Sequence, residues 1–327
     1  MGSTTDPRSE APGRFRLGRR IGEGLRFHSG LALLGLMLLG GTLIGACARP
    51  FLSAQRFRWF LRGWAAAIFR GYLRAIRRLG LLQVDLSELD RLRDEPSLII
   101  APNHPSLLDA ALVISRLPRT VCIMKASLCD NLFLGAGARM AGYIPNDSPR
   151  SMVRLAVQAL NDGGQLLIFP EGTRSSDAPI GPLKPAFAAI ARRARAPVQT
   201  IFIEAESRYL SKGWPLWRRP VALPLRYRVR LGPRVAPEGS TDDIVARVTA
   251  CLRSGLSSSG PAAAPSAAPF AAPSTASTAS PPASSSALTP IFSPGDDPSA
   301  AGARAHGGRL RSDDFTLSTI ARLPIDD

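Results

Sequence analysis

Two five-residue runs constrain this chain more than anything else in it. Ser97-Leu98-Ile99-Ile100-Ala101 and Gln165-Leu166-Leu167-Ile168-Phe169 are too short for helices and too continuously apolar for half-wet strands. Runs of that kind suit strands buried inside a sheet. Each breaks off into a polar turn. The first gives Pro102-Asn103-His104-Pro105-Ser106-Leu107-Leu108-Asp109, after which Ala110-Ala111-Leu112-Val113-Ile114 resumes as a helix that Ser106 is placed to cap. The second gives Pro170-Glu171-Gly172-Thr173-Arg174-Ser175.

His104 therefore falls on a strand-to-helix connection, with Asp109 near the first turn of the helix that follows. A loop lets that five-residue spacing fold back, so the carboxylate can reach one imidazole nitrogen, fix its tautomer and raise its basicity. The other nitrogen is then free to take a proton from a hydroxyl. The bland reading of the same residues is a polar turn with a capping Ser and a first-turn Asp.

The blocks NHPSLLD and FPEGTRS, about sixty residues apart in an α/β pattern, resemble the glycerophospholipid acyltransferase superfamily, also called the lysophosphatidate acyltransferase or PlsC-like family. The resemblance spans about Leu98 to Ile203. It implies transfer of a fatty acyl group from acyl-CoA or acyl carrier protein to a lysophospholipid hydroxyl, with 1-acyl-sn-glycerol 3-phosphate as acceptor. His104 is then the general base and Asp109 its orienting acid. The thiolate is already a good leaving group, so the chemistry requires no metal, cofactor or covalent intermediate. The acceptor is expected to meet Asn103, Lys125, Arg150, Glu171, Gly172, Thr173 and Arg174. A Glu171–Arg174 ion pair that merely braces the turn is the structural alternative.

In one region the chain departs from the family pattern. Asp147 is followed by Ser148-Pro149 before Arg150, where the family places Arg directly after the acid. A different lyso-lipid acceptor, such as lyso-ornithine lipid, therefore stays open. So does a non-catalytic membrane-binding protein that keeps the fold. At the same place, Asp147 or Ser148 capping a helix with Pro149 at its first position accounts for the residues equally well.

The rest of the core follows the same alternation. Arg119–Met124 and Val198–Glu204 read as strands, and 225–231 alternates apolar and basic residues as an edge strand does. Helices are expected over 131–140, 151–160, 183–195 and 242–252. The fold expected is α/β: a mixed, mostly parallel sheet flanked by helices, over residues 81–255.

Residues 30–80 are expected to form a membrane-associated helical hairpin. Gly30 to Ala48 is a run of nineteen uncharged, mostly apolar residues, near the length of a bilayer span, although its glycines weaken it as a straight helix. Phe51 to Leu79 interleaves aromatics with arginines, a composition suited to the headgroup boundary, or to an amphipathic helix packed on its own domain. Basic residues flank the apolar run on both sides, which disfavours a simple span. A pair of helices dipping into one leaflet keeps the catalytic domain on the cytoplasmic face of the inner membrane.

The net charge of +16 is carried mostly by Arg. With basic residues beside apolar and aromatic ones, and no zinc spacing or recognition helix, membrane lipids rather than nucleic acid are the expected partner. Cys47, Cys122, Cys129 and Cys251 show no paired spacing. Residues 1–29 read as a basic disordered N-terminus, and 256–327, rich in Ala, Ser and Pro, as a disordered tail.

Overall fold

The computed structural model describes residues 11–131, 134–175, 180–220 and 222–257. The tail expected to be disordered lies, from residue 258 on, outside the described residues, as do residues 1–10.

The basic stretch expected to be disordered up to residue 29 is helical from residue 11 onward: α1 runs Ala11–Ala48. Pro12 sits in the first turn, where its missing N–H costs nothing, and no further proline interrupts the chain until Pro50. Arginine is itself a good helix former, so charge alone does not end the helix. A 3₁₀ turn at Arg49–Phe51 leads to α2 (Ala54–Arg78). A Cβ added at Gly30 would meet Ile76 at 3.4 Å, and one at Gly45 would meet Leu61 at 2.8 Å. Early α1 thus lies against late α2 and late α1 against early α2, so the two helices run antiparallel. The glycines at 41 and 45 serve this contact, because a side chain at either would run into Ile68 or Leu61 of α2.

Most rings of α2 turn inward. Phe57 and Tyr72 are buried together with Leu61, Leu73 and Ile76, at helical spacing. Phe69 also packs against the domain core, and Phe60 is the one large hydrophobic of α2 substantially exposed among the described residues. The arrangement is the amphipathic helix packed on its own domain rather than rings directed at acyl chains. Arg62 is buried too; its Nε donates to the Ala141 carbonyl at 3.1 Å, tying α2 to the segment that follows residue 140.

The remaining elements are β1 (Leu82–Asp85), β2 (Ile99–Pro102), α3 (Asp109–Arg116), β3 (Thr120–Met124), α4 (Ala126–Cys129), α5 (Gly135–Met140), β4 (Ile144–Pro145), α6 (Pro149–Asn161), β5 (Gln165–Leu167), α7 (Ala186–Ala194), β6 (Val198–Ala205), β7 (Leu225–Val235) and α8 (Thr241–Ser257). One seven-stranded sheet has the order β1-β7-β6-β2-β5-β3-β4, parallel throughout except between β6 and β7. Alternation along β2 builds two cores. Ile100 faces a cluster with Leu112, Leu167 and α2. Ile99 and Ala101 face another with Leu166, Phe187 and Val248.

The 225–231 strand is not an edge. Residues 82–85, whose strand the sequence pattern did not reveal, add outside it in parallel, Leu82 beside Leu225. The alternation of Leu225, Tyr227 and Val229 with Arg226, Arg228 and Arg230 instead records one buried and one wet face. Arg226 donates to Gln83 at 3.0 Å and Arg230 to Glu204 at 2.8 Å across neighbouring strands.

Candidate active site

β2 and β5 lie side by side and parallel, so the polar turns that follow them emerge at the same sheet edge. Ligands in open α/β sheets collect at such strand ends. The turns are stitched together: the Ser175 N–H donates to the His104 carbonyl at 2.7 Å, and the His104 N–H to Glu171 Oε1 at 3.3 Å.

Within the first turn, His104 Nδ1 lies 2.8 Å from Asp109 Oδ2. The same oxygen accepts the Ser106 N–H at 2.8 Å, while Ser106 Oγ accepts the Leu108 N–H at 3.2 Å. Ser106 thus orders the turn ahead of α3 and does not cap the helix as the sequence predicts: the cap residue is Leu108, with no side-chain cap bond. Only an N–H suits an oxygen already accepting from the backbone. Nδ1 is therefore the protonated nitrogen, and Nε2 carries the lone pair. The imidazole keeps 15% of its side-chain surface exposed, whereas Asp109 has none. Phe169 stacks on the imidazole at 3.7 Å between centroids and 18° between planes, fixing the ring from one side.

Burial pushes the Asp109 carboxyl above the ordinary carboxylate range. The bonds from His104 and Ser106, and the charge of Arg174, pull the other way. Asp109 Oδ1 is buried with no hydrogen-bond partner among the described residues. Ser106 Oγ also donates to the Tyr209 carbonyl at 3.1 Å and accepts from the Tyr227 hydroxyl at 3.2 Å. Burial raises Tyr227 to about 12, so it stays a donor at neutral pH.

The residues expected around the acceptor divide into groups. Asn103 is buried and its carboxamide is engaged by β6: Nδ2 donates to the Ile203 carbonyl at 3.0 Å and Oδ1 accepts the Ile203 N–H at 2.7 Å. Glu171 is likewise buried and forms no ion pair with Arg174. Its Oε1 accepts Ser175 Oγ at 2.7 Å besides the His104 N–H, and Oε2 accepts the Gly181 N–H at 2.9 Å. Both side chains brace the loops instead of facing outward. Arg174 Nη1 donates to the carbonyls of Leu210 and Ser211 at 2.8 and 2.9 Å. Its Nε and Nη2 have no partner among the described residues.

Gly172 adopts φ +69°, the left-handed region that favours glycine. A Cβ there would lie 2.9 Å from Lys184 Cδ and Cε. Lys184 thus brings a cation onto the same turn; in the sequence it reads only as part of a helix start. Thr173 is exposed. Lys125 and Arg150 are also exposed, but they follow β3 and β4. At the ~4.8 Å spacing of neighbouring strands, these lie roughly 10 and 14 Å across the sheet from β2. Pro149 is the first residue of α6, with Ser148 as its extended cap residue.

Neither core cysteine suits a nucleophile: burial raises the Cys122 thiol to about 12 and also raises Cys129. All four cysteines are free.

Comparison with known proteins adds four findings. Residues 83–204 match the family model described as Acyltransferase. The chain is 30% identical over 162 residues to 1-acyl-sn-glycerol-3-phosphate acyltransferase alpha of Mus musculus, covering 47% of this chain and 55% of that protein. It is 28% identical over 138 residues to 1-acyl-sn-glycerol-3-phosphate acyltransferase BAT2, chloroplastic, of Brassica napus, covering 40% of each. The chain thus spans about half the length of these curated relatives. The crystal structure of the 1-acyl-sn-glycerophosphate (LPA) acyltransferase, PlsC, from Thermotoga maritima shares the fold, with a TM-score of 0.57 at 19% identity over 74% of this chain and 97% of that one.

Proposed function

We propose, from the match of residues 83–204 to the Acyltransferase family model, that the chain moves a fatty acyl group from acyl-CoA or acyl carrier protein to the free hydroxyl of 1-acyl-sn-glycerol 3-phosphate, giving phosphatidic acid. The single observation that carries this reading is the 2.8 Å bond from His104 Nδ1 to a buried carboxylate, which leaves Nε2 as the free base at the sheet edge.

In the proposed step Nε2 takes the hydroxyl proton as the oxygen attacks the thioester carbonyl. The C–S bond then breaks and the thiolate leaves, collecting a proton from the imidazolium. Asp109 holds the ring and offsets the positive charge that the ring acquires, a contribution of ~10²–10⁴-fold for a base of this kind. Thr173, the remaining donors of Arg174 and the Lys184 ammonium are suited to a phosphate headgroup, because forked and point-charge donors meet at one turn. Gly172 lets that turn bring its backbone close to the ligand, while Glu171 and Asn103 keep it in register with His104. Lys125 and Arg150 are assigned an outer role, in steering the anionic acceptor.

We place the protein at the inner membrane with this domain on the cytoplasmic side, where thioester donors are made. The helix from Ile21 to Phe51 is long and apolar enough to cross a bilayer, and Leu36, Leu43 and Phe51 are exposed on it. The insertion of Ser148 and Pro149 between Asp147 and Arg150 favours, as a second reading, a lyso-lipid whose headgroup is not a phosphomonoester. Supplying the full chain with labelled acyl thioester and a panel of lyso-lipids tests both readings. Preference for 1-acyl-sn-glycerol 3-phosphate supports the first. Preference for a lyso-lipid lacking the phosphomonoester overturns it in favour of the second, and no transfer to any acceptor removes both.

A further inference from the structure

The segment between β6 and β7 has a composition that the catalytic reading does not use: Lys212-Gly213-Trp214-Pro215-Leu216-Trp217-Arg218-Arg219. Its two tryptophans are treated differently. Trp214 is folded in, its Nε1 donating to the Arg218 carbonyl at 2.9 Å, its ring edge-on to Tyr209, and the Arg218 guanidinium over its face. Trp217, three residues on, is 74% exposed, beside Leu216 at 45%. A large ring left in water while the loop's other tryptophan is fully used needs a reason.

Contacts on either side supply one. Toward the site, the Leu210 carbonyl accepts both the Leu107 N–H at 3.1 Å and Arg174 Nη1, so the segment is fastened to the two turns that carry His104 and Glu171. Away from it, Arg219 pairs with Glu23 of α1 at 3.4 Å, and Tyr209 packs edge-on against Phe27. On the same helix Ile21 and Leu25, two residues to either side of Glu23, are 63% and 70% exposed. Leu107, within the catalytic turn that this segment holds, is 42% exposed as well. The loop itself holds no acid; Arg219 is paired with Glu23 of α1, so Lys212 and Arg218 carry the positive charge it presents.

We propose that the 212–219 loop is a second, interfacial membrane contact, which seats Trp217 and Leu216 at the headgroup level of an anionic bilayer and so holds the mouth of the site against the lipid that bears its acceptor. An amphipathic ring at that depth has its apolar body among acyl chains, while flanking basic side chains meet phosphates. Charge complementarity favours a bilayer rich in anionic lipid over a zwitterionic one. The inference rests on the acyltransferase reading only for its purpose; the contact itself is measurable without turnover.

The full-length protein in vesicles of phosphatidylglycerol and phosphatidylcholine carries the test. Subtracting the emission of Trp217→Ala from that of the unaltered protein isolates Trp217. The expected difference signal is blue-shifted, quenched by lipids brominated near the headgroup, and shielded from aqueous iodide. A signal quenched by iodide and not by bromolipid overturns the proposal. So does shielding that appears only when an acidic acyl carrier protein is added, which would make the loop a protein-docking surface. Leu216→Glu with Trp217→Glu, checked for fold by its thermal transition, gives an independent readout. KM for a long-chain acceptor in vesicles is expected to rise roughly ten- to a hundredfold, the worth of one large apolar side chain taken out of water. Turnover of a short-chain, water-soluble acceptor should be unchanged. Equal losses on both acceptors would also defeat the proposal. Failure of all transfer with Trp217 quenched by bromolipid would overturn the acyltransferase reading and leave the membrane contact standing.

Discussion

Asp109→Asn tests the dyad more sharply than a deletion does. The Ser106 N–H fixes an oxygen at the Oδ2 position, so the new amide must keep its carbonyl there and point its NH₂ where the unpartnered Oδ1 now lies. The carbonyl still accepts from Nδ1, so the ring keeps its tautomer and orientation, and only the negative charge is lost. When Nε2 takes a proton, the imidazolium forms with its centre ~4 Å from where that charge was, worth ~4 kcal/mol at an effective dielectric of about 20. The expected fall in kcat is therefore about 10³-fold. The buried, unpartnered NH₂ costs ~1–3 kcal/mol of stability, visible as a modest drop in Tm. Release of free thiol from the acyl thioester at saturating acceptor measures kcat directly. A folded variant with kcat within about tenfold of the parent would refute the claim that the carboxylate charge drives the base.

Three further outcomes follow from the same geometry. Burial raises the Asp109 carboxyl, so between its ordinary and raised values the folded state binds more protons than the unfolded one. The parent should therefore lose stability relative to Asp109→Asn as pH rises through that window, and a Tm gap constant with pH would contradict it. Glu171→Ala strands the His104 N–H, Ser175 Oγ and the Gly181 N–H, at ~1–3 kcal/mol for each group left buried without a partner. The measurement is hydrogen exchange, with protection expected to fall first in the turns after β2 and β5. Gly172→Ala forces φ +69° on a side-chain-bearing residue and crowds Lys184, so a loss of ~1–2 kcal/mol in denaturant unfolding is expected, with a raised acceptor KM.

What was legible in the sequence was local. The runs at 97–101 and 165–169 declare buried strands by composition. The turn after each carries its own chemistry, and His104 and Asp109 meet because five residues close within one turn. What escaped was set by partners distant in the chain. Asn103 reads as a site residue until Ile203, one hundred positions away, occupies its carboxamide. Glu171 and Arg174 read as acceptor contacts, or alternatively as a bracing ion pair, yet each is engaged by loop atoms that no spacing predicts. Residues 225–231 look like an edge because nothing in 82–85 announces a strand that will cover them. The basic start of α1 reads as unstructured because its charge masks the helix propensity of its arginines. The glycines of the apolar run looked like weaknesses because the helix they face was not yet in view.

The central claim is that the His104 imidazole removes the acceptor's proton. Full-length protein in vesicles, given a labelled acyl thioester and 1-acyl-sn-glycerol 3-phosphate, should form labelled phosphatidic acid. His104→Ala, with an unaltered thermal transition, should form it ~10²–10⁴-fold more slowly. Equal rates from the two proteins would contradict the account.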